Sequence, residues 1–241
     1  MNYIEMLTKF GIGSAHPGGF AATLQQFQEH PLQAGSRILE VGCGTGRTAC
    51  YLAEEGHVVT AVDLQQGMVA KAERRAEALG LQVTFRQADA CALPFDDEQF
   101  DVVIVESVTN FAEARRAVPE YFRVLRSGGV LYDREMMLQQ AAAETPRLDE
   151  IQQFFGMPQL MRREEWVELL RSLGFARAEI PQYSLFTEEI KAMQLMYEDE
   201  HEYIDDDVYA NADLWHIALR HDQIIADCID YLAFGLIKAV K

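Results

Sequence analysis

Three glycines stand at alternate positions in the stretch Ile38-Leu39-Glu40-Val41-Gly42-Cys43-Gly44-Thr45-Gly46, after an apolar run of strand length and before a helical pattern. Glycine does two jobs in such a loop. It allows backbone dihedrals that a β-carbon forbids, and it lets a ligand come close to the main chain. A helix opening directly afterwards points its first amides into the same crevice. The chemistry on offer is the seating of a ligand against Gly42, Gly44 and Gly46.

The register of the loop says which ligand. Dinucleotide sites favour G-x-G-x-x-G, whereas here Arg47 holds the third glycine's place and the glycine comes early, at Gly46. Glu40 precedes the loop and would face whatever enters. A pyrophosphate is repelled by that carboxylate; a cofactor bearing an amino group and a sulfonium is attracted. Asp63 closes the next strand about twenty residues on, where it can accept hydrogen bonds from both ribose hydroxyls of an adenosine at about 1.5–3 kcal/mol each. Asp89 follows the third strand and can take the adenine amino group while the Ala90 amide meets a ring nitrogen. Each carboxylate alone also reads as a helix cap or a turn residue. Their order along the chain is what carries the assignment.

These residues need a scaffold that brings strand ends together. From about residue 36 to 135 short apolar runs alternate with helical patterns, as in a βαβ series. Strands are expected at 37–41, 58–63, 83–87, 101–106 and 129–133, rich in Val, Ile and Leu without alternation, as parallel strands covered on both faces are. Helices are expected at 48–55, 66–78 and 115–125, with Gly80 as a stop after the second and Gly128-Gly129 turning the chain after the third.

The set resembles the class I S-adenosylmethionine-dependent methyltransferases. Leu39 to Gly46 matches their first motif, and Asp63, Asp89-Ala90, Leu93-Pro94-Phe95-Asp96, Phe100-Asp101-Val102-Val103 and Leu125-Arg126-Ser127-Gly128-Gly129 resemble later landmarks. The resemblance implies a Rossmann-like α/β fold with a seven-stranded sheet in the order 3-2-1-4-5-7-6, strand 7 antiparallel, flanked by helices. It also implies that Gly42, Gly44 and Gly46 line the methionine portion and that Glu40 reaches the amino group through water. Asp63 would hold the ribose, Leu64 and Met68 would pack near the adenine, and Asp89 and Ala90 would read the base edge. Glu106, ending strand four, would lie near the methyl donor and the acceptor.

Outside this core, residues 1–35 read as an N-terminal helical segment broken by Gly11, Gly13 and the turn His16-Pro17-Gly18-Gly19. A helix is expected at 163–172, and strands six and seven at 175–181 and 231–240. Between them, residues 187–230 read as a mostly helical insertion, where thirteen acidic residues oppose only Lys191 and Arg220. That insertion is expected to act as a lid over the strand ends, or else as a dimer arm or a simple solvated face; a homodimer is left open.

Methyl transfer from a sulfonium is an in-line displacement that alignment and desolvation can accelerate, so a base is needed only if the acceptor must lose a proton. Candidates are His16, Glu106, His201, His216 and His221, with His16 foremost because its turn lets the N-terminal segment fold over the cofactor. Tyr3, Phe10, Phe111, Tyr183, Tyr197 and Trp215 could line an acceptor cavity, although aromatics at helical spacing are more often plain core.

Composition narrows the partners. A formal charge of -17 repels phosphates, which makes nucleic acids and anionic membranes poor partners, and an acidic lid would favour a neutral or cationic small-molecule acceptor. No apolar run approaches the ~20 residues of a membrane span, and an N-terminus carrying Glu5 without a basic lead is not expected to be a secretory signal. Cys43, Cys50, Cys91 and Cys228 show no C-x-x-C spacing, so no metal site is expected, and free thiols suit a reducing cytoplasm. Two rivals remain at this stage: an NAD-type oxidoreductase, disfavoured by Gly46 and Glu40, and a non-catalytic S-adenosylmethionine-binding regulator.

Overall fold

A computed structural model describes residues 1–140, 146–187, 192–193 and 195–241. Its seven strands are β1 (Arg37–Val41), β2 (Val58–Asp63), β3 (Thr84–Gln87), β4 (Phe100–Glu106), β5 (Leu125–Leu138), β6 (Arg177–Leu185) and β7 (Leu232–Val240). They form one sheet in the order β3-β2-β1-β4-β5-β7-β6. Strands β1 to β5 pair in parallel, and β7 runs antiparallel to both β5 and β6, as the resemblance implied.

The apolar runs sort the helices onto two faces. Leu39, Val103 and Leu131 pack under α5 (Ala114–Val124) and α7 (Arg163–Ser172), whose Tyr121 and Trp166 are fully buried. Ile38, Ile104 and Leu236 face α2 (Gly19–Glu29), α3 (Arg47–Glu54) and α4 (Gln66–Leu79) through Phe27, Leu52 and Ala72. A third core covers the extended ends of β5 and β7. There Met6 of α1 (Tyr3–Phe10), Ile151 and Phe155 of α6 (Leu148–Phe155), and Leu214 and Ile224 of α8 (Ala212–Cys228) meet Met136, Leu138 and Leu232.

Three local expectations are corrected. Strand β5 runs from Leu125 to Leu138, well beyond 129–133, because β7 pairs with it through nine residues from Val130 to Leu138. Gly128 and Gly129 lie inside β5, where a β-carbon on Gly129 would press on the Arg126 and Asp101 carbonyls. Strand β6 continues past Pro181 to Leu185; the register shifts between Glu179 and Gln182, and the sheet edge tolerates a residue without an N–H.

The described part of the insertion 187–230 is mostly helical. It holds helical residues 192–193, α8 and two 3-10 turns, Asp206–Ala210 and Ile229–Tyr231, while residues 195–205 are turns and extended chain. Glu188, Glu189 and Lys191 lie outside the described residues. Its acidity is met from elsewhere in the chain: Lys9 and Lys71 pair with Asp205, Arg75 with Asp199 and Arg147 with Asp227. Among the described residues no helix is long and apolar enough to cross a membrane.

Candidate functional site

Strand order reverses between β1 and β4, so the loops leaving their carboxyl ends part and open a crevice. The glycine loop lies there in left-handed conformations, with φ of +73° at Gly42, +53° at Gly44 and +75° at Gly46. The amides of Gly42 and Cys43 donate to the Val62 carbonyl at 2.7 and 2.9 Å, pinning the loop to β2. The three glycines do different work. A β-carbon on Gly42 would collide with Val108, and one on Gly46 would meet Ala72 at 2.8 Å. One on Gly44 would meet only the Ile12 carbonyl, 4.0 Å away. Gly42 and Gly44 line a cavity of about 950 Å³, whereas Gly46 packs against α4 and does not.

Carboxylates surround the cradle. Asp63 accepts from the Gly44 amide through Oδ2 at 2.9 Å and from the Gln65 amide through Oδ1 at 2.8 Å. Burial raises its pKa even so. Glu40 is 3% exposed, and its Oε2 has no partner. Burial, with Glu106 and Asp63 close by, pushes its carboxyl well above the usual range. A carboxyl placed like this either keeps a proton or takes a cation, so it fits the ammonium of an entering ligand. Asp89 accepts from the Cys91 amide at 2.8 Å, and Ala90, Leu64 and Met68 stand with it in the cavity wall.

Glu106 and His16 meet at the end of β4. Thr23 donates to Glu106 Oε1 at 2.6 Å and Thr48 to Oε2 at 2.8 Å, so both oxygens are engaged. His16 is 3% exposed, with Nε2 3.2 Å from Thr23 Oγ1 and 3.5 Å from Glu106 Oε1. Since the Thr23 proton goes to Glu106, its oxygen is left to accept from His16 Nε2–H. Burial lowers the His16 pKa, and the ring is neutral at pH 7. Burial alone would raise Glu106; the nearby His16, the Thr23 hydroxyl, Arg134 and Thr48 together bring it below its usual value. With His16 neutral, the threonine hydroxyls and Arg134 carry that effect.

Beyond the cradle the same cavity widens into an aromatic chamber. Tyr3, Phe111, Phe154, Phe155 and Phe186 line it with Met136 and Ile225. Tyr3 stacks on Phe111 with ring centroids 6.1 Å apart and on His221 at 5.5 Å. Of the aromatics singled out in the sequence, Tyr3 and Phe111 are in this wall. Phe10 packs instead on Trp215, and Tyr183, Tyr197 and Trp215 lie elsewhere. His221 lines the chamber; His201 and His216 do not. The 153–157 segment carries no signal in the sequence, whereas Glu135 does: Asp133-Arg134-Glu135 interrupts an apolar strand with three charges.

A doubly wound sheet with a glycine cradle and a ribose-distance carboxylate at its switch point defines an α/β protein that binds an adenosine-type cofactor. Comparison with known proteins narrows this. A family profile described as a methyltransferase domain matches residues 38–129. An uncharacterized methyltransferase of Bacillus subtilis, YodH, is 37% identical over 177 residues, 73% of this chain and 76% of that one. The demethylmenaquinone methyltransferase of Thermus thermophilus is 45% identical over 102 residues, 41% of this chain and 46% of that enzyme. The fold matches Haemonchus contortus phosphoethanolamine N-methyltransferase 2, solved with S-adenosyl-L-methionine, at a TM-score of 0.76 and 22% identity; 99% of this chain covers 57% of that one. The chain belongs to the class I S-adenosylmethionine-dependent methyltransferases. Its methyl donor is S-adenosylmethionine, which displaces the oxidoreductase reading.

Proposed function

We propose that this methyltransferase transfers the methyl group to a small, largely apolar, ring-bearing acceptor held in the aromatic chamber. The observation that carries this reading is the continuity of the cavity: one space of about 950 Å³ joins the glycine cradle to a wall of stacked rings. That is near the top of the range for small-molecule sites and leaves room for a second ligand beside the cofactor. Seven carboxyl groups and one guanidinium, Arg116, stand in its described walls, and the carboxyls that stay ionised would repel a phosphorylated or otherwise anionic acceptor. The demethylmenaquinone relative and the 27-O-demethylrifamycin SV methyltransferase of Amycolatopsis mediterranei, 31% identical over 165 residues, agree with a ring-bearing acceptor.

In this reading Glu40 takes the ammonium of the cofactor, Gly42 and Gly44 flank its methionine portion and Asp63 holds the ribose. Leu64, Met68, Asp89 and Ala90 surround the base, and Gly46 packs the loop onto α4. The bound cofactor supplies an electrophilic methyl group; the chain supplies alignment and a dry chamber for in-line displacement. Neutral His16, its Nε2–H engaged by Thr23, can accept an acceptor's proton only at Nδ1, which lies 3.4 Å from the Pro17 carbonyl, while Glu106 orients the ring through Thr23. Residues 195–230 close the site: α8 contributes His221, Asp222, Ile225 and Ala226 to the chamber, and Arg47 reaches the Tyr197 and Glu198 carbonyls at 3.1 and 2.9 Å.

The test is transfer of a labelled methyl group from S-adenosylmethionine to three acceptor sets: hydroquinones and phenols, phospho-amines, and RNA. Label in the organic-extractable phenolic products supports the reading. Label in phospho-amines or RNA alone overturns it, as does cofactor binding without transfer to any of them or to a metabolite extract, the outcome a regulator would give.

A further inference from the structure

Two carboxyls are buried on β5 beside the site and play no part in the roles above. Glu135 is 0% exposed and lines the cavity; Asp133, two residues back on the same face of the strand, is 1% exposed. Asp133 Oδ1 is buried with no N–H or O–H donor on it, and the Glu135 carboxyl is its interacting neighbour. The titratable groups facing them are Tyr121 of α5 and, beyond it, Cys91. Arg134 projects to the opposite face of the sheet, where it donates to the Ala22 carbonyl and to Gln26 and Gln182. Two buried carboxylates without a facing cation cannot both stay ionised, so the pair keeps a proton at neutral pH.

The hydrogen bonds say where that proton sits. Glu135 Oε1 accepts two short bonds, from the Val108 amide at 2.8 Å and the Thr109 amide at 2.7 Å. Its Oε2 has only the Asn110 amide, at 3.3 Å. Asp133 Oδ2 accepts from the Thr109 hydroxyl at 2.7 Å. Oε1 therefore behaves as the carbonyl of a neutral acid and Oε2 as its hydroxyl, with Asp133 as the charged acceptor. Burial pushes Asp133 up to about 7 and Glu135 well above the usual range, in the same order.

What Glu135 grips is the segment between the cofactor cradle and the chamber. Ser107 adopts a left-handed φ of +57°, Val108 abuts Gly42, and Phe111 stacks on Tyr3 inside the chamber. Asn110 donates to the Met136 carbonyl at 2.8 Å, and Gln159 to the Thr109 and Ala112 carbonyls at 2.8 and 2.7 Å. We propose that Glu135 is a positioning residue in its protonated form, donating to Asp133 and holding residues 108–110 as the partition between cofactor and acceptor. The partition's acceptor side rests on the chamber assignment made above; its cofactor side does not.

The test therefore uses S-adenosylhomocysteine as the probe and needs no acceptor. Glu135→Gln reproduces the neutral acid, with a carbonyl for the two amides and an N–H for Asp133; Glu135→Ala removes both. The expected result is that E135Q matches wild type at pH 7 in hydrogen-exchange protection of the Val108 and Thr109 amides and in affinity for the probe. E135A exchanges these amides faster and binds about tenfold or more weakly, the cost of leaving two buried donors unpaired. The infrared difference between wild type and E135Q contains a protonated-carboxyl band, which the protonated Glu40 common to both cannot give. Compared at each pH, wild type loses protection relative to E135Q as the solution turns alkaline. If E135Q instead resembles E135A, or the difference spectrum shows a carboxylate band in place of the protonated one, the required form is the carboxylate and the proposal is overturned. Absence of methyl transfer to any phenol would sink the chamber assignment and leave these readouts unchanged.

Discussion

The Gly44 amide donates to Asp63 Oδ2 at 2.9 Å, so the cradle and the carboxylate at the end of the neighbouring strand are tied together before any ligand enters. Asp63 spends one lone pair of each oxygen on a backbone amide, Gly44 on one side and Gln65 on the other, and keeps the rest for a ligand. The bond explains why a glycine loop and an aspartate nineteen residues away act as one unit: moving either moves both.

Replacing Asp63 with alanine should therefore cost more than the ligand's own bonds. Two hydrogen bonds to a charged group, at about 1.5–3 kcal/mol each, correspond to a loss of roughly 10²- to 10⁴-fold in cofactor affinity. Asp63→Asn keeps a carbonyl oxygen for one of its contacts and should lose roughly tenfold. Calorimetric titration with S-adenosylhomocysteine separates them; an alanine variant that binds like wild type would remove the basis for placing the ribose here.

Gly42 and Gly44 make opposite predictions although they are two residues apart. A methyl on Gly42 collides with Val108 at a left-handed φ, so Gly42→Ala should lose about 2–4 kcal/mol of stability from overpacking and backbone strain. A methyl on Gly44 meets open space, so Gly44→Ala should cost only the backbone strain, about 1–2 kcal/mol, and fall mainly on binding, by more than tenfold. Denaturant melts and cofactor titrations on both variants check the split. Equal stability losses would show that both glycines serve the loop rather than the ligand.

How far these features could be read in advance depended on whether a residue's purpose is local. The strand positions, the cradle and Asp63 follow from short-range pattern, since apolar runs, glycine spacing and an acid at a strand end are each visible within a few residues of sequence, whereas the sheet order is what the family resemblance implies. Gly46 was assigned to the cavity because spacing cannot reveal that Ala72, 26 residues on, fills its empty side. The chamber was only partly legible. Tyr3, Phe111, Phe155 and Phe186 come from four separated segments, and nothing in their spacing marks them as neighbours, nor Trp215 as an outsider. The acidic insertion looked uncompensated because its partners, Lys9, Lys71, Arg75 and Arg147, lie outside its span.

His16 gives the site an acid limit. Burial lowers its pKa in the folded chain, so protonation favours the unfolded state, where the imidazole titrates near its usual ~6.5. Its neutral form thus contributes a stability that is complete above about pH 6.5 and declines as the pH falls below it. Glu106 tempers the decline by attracting the charged ring, 3.5 Å away. Chemical denaturation between pH 5 and 8 should show wild type losing stability toward acid and His16→Gln losing less. Parallel curves for the two proteins would mean that His16 is not buried as a neutral base.

The tie between the insertion and the cofactor loop runs through Arg75. Its guanidinium, 4% exposed, makes a bidentate pair with Asp199 at 2.7 and 2.6 Å while Nε donates to the Thr45 carbonyl at 2.8 Å. One side chain thus joins residues 195–205 to the glycine loop from behind. Arg75→Met leaves Asp199 without its hydrogen-bonded partner and with only the more distant Arg47 as countercharge, a loss on the order of 3 kcal/mol. Arg75→Met with Asp199→Leu removes both charges and should recover much of it, because paired apolar groups tolerate the same burial. The pair also sets a pH sense: although burial alone would raise Asp199, Arg75 brings its pKa below the usual value. Its contribution is therefore full above about pH 4 and lost as the pH falls further. Limited proteolysis of residues 195–205, alone and with S-adenosylhomocysteine, reads the coupling. Cleavage should be slow in wild type, slower with the probe and fast in Arg75→Met. If the probe protects Arg75→Met as well as wild type, the insertion and the cradle are linked by something other than this ion pair.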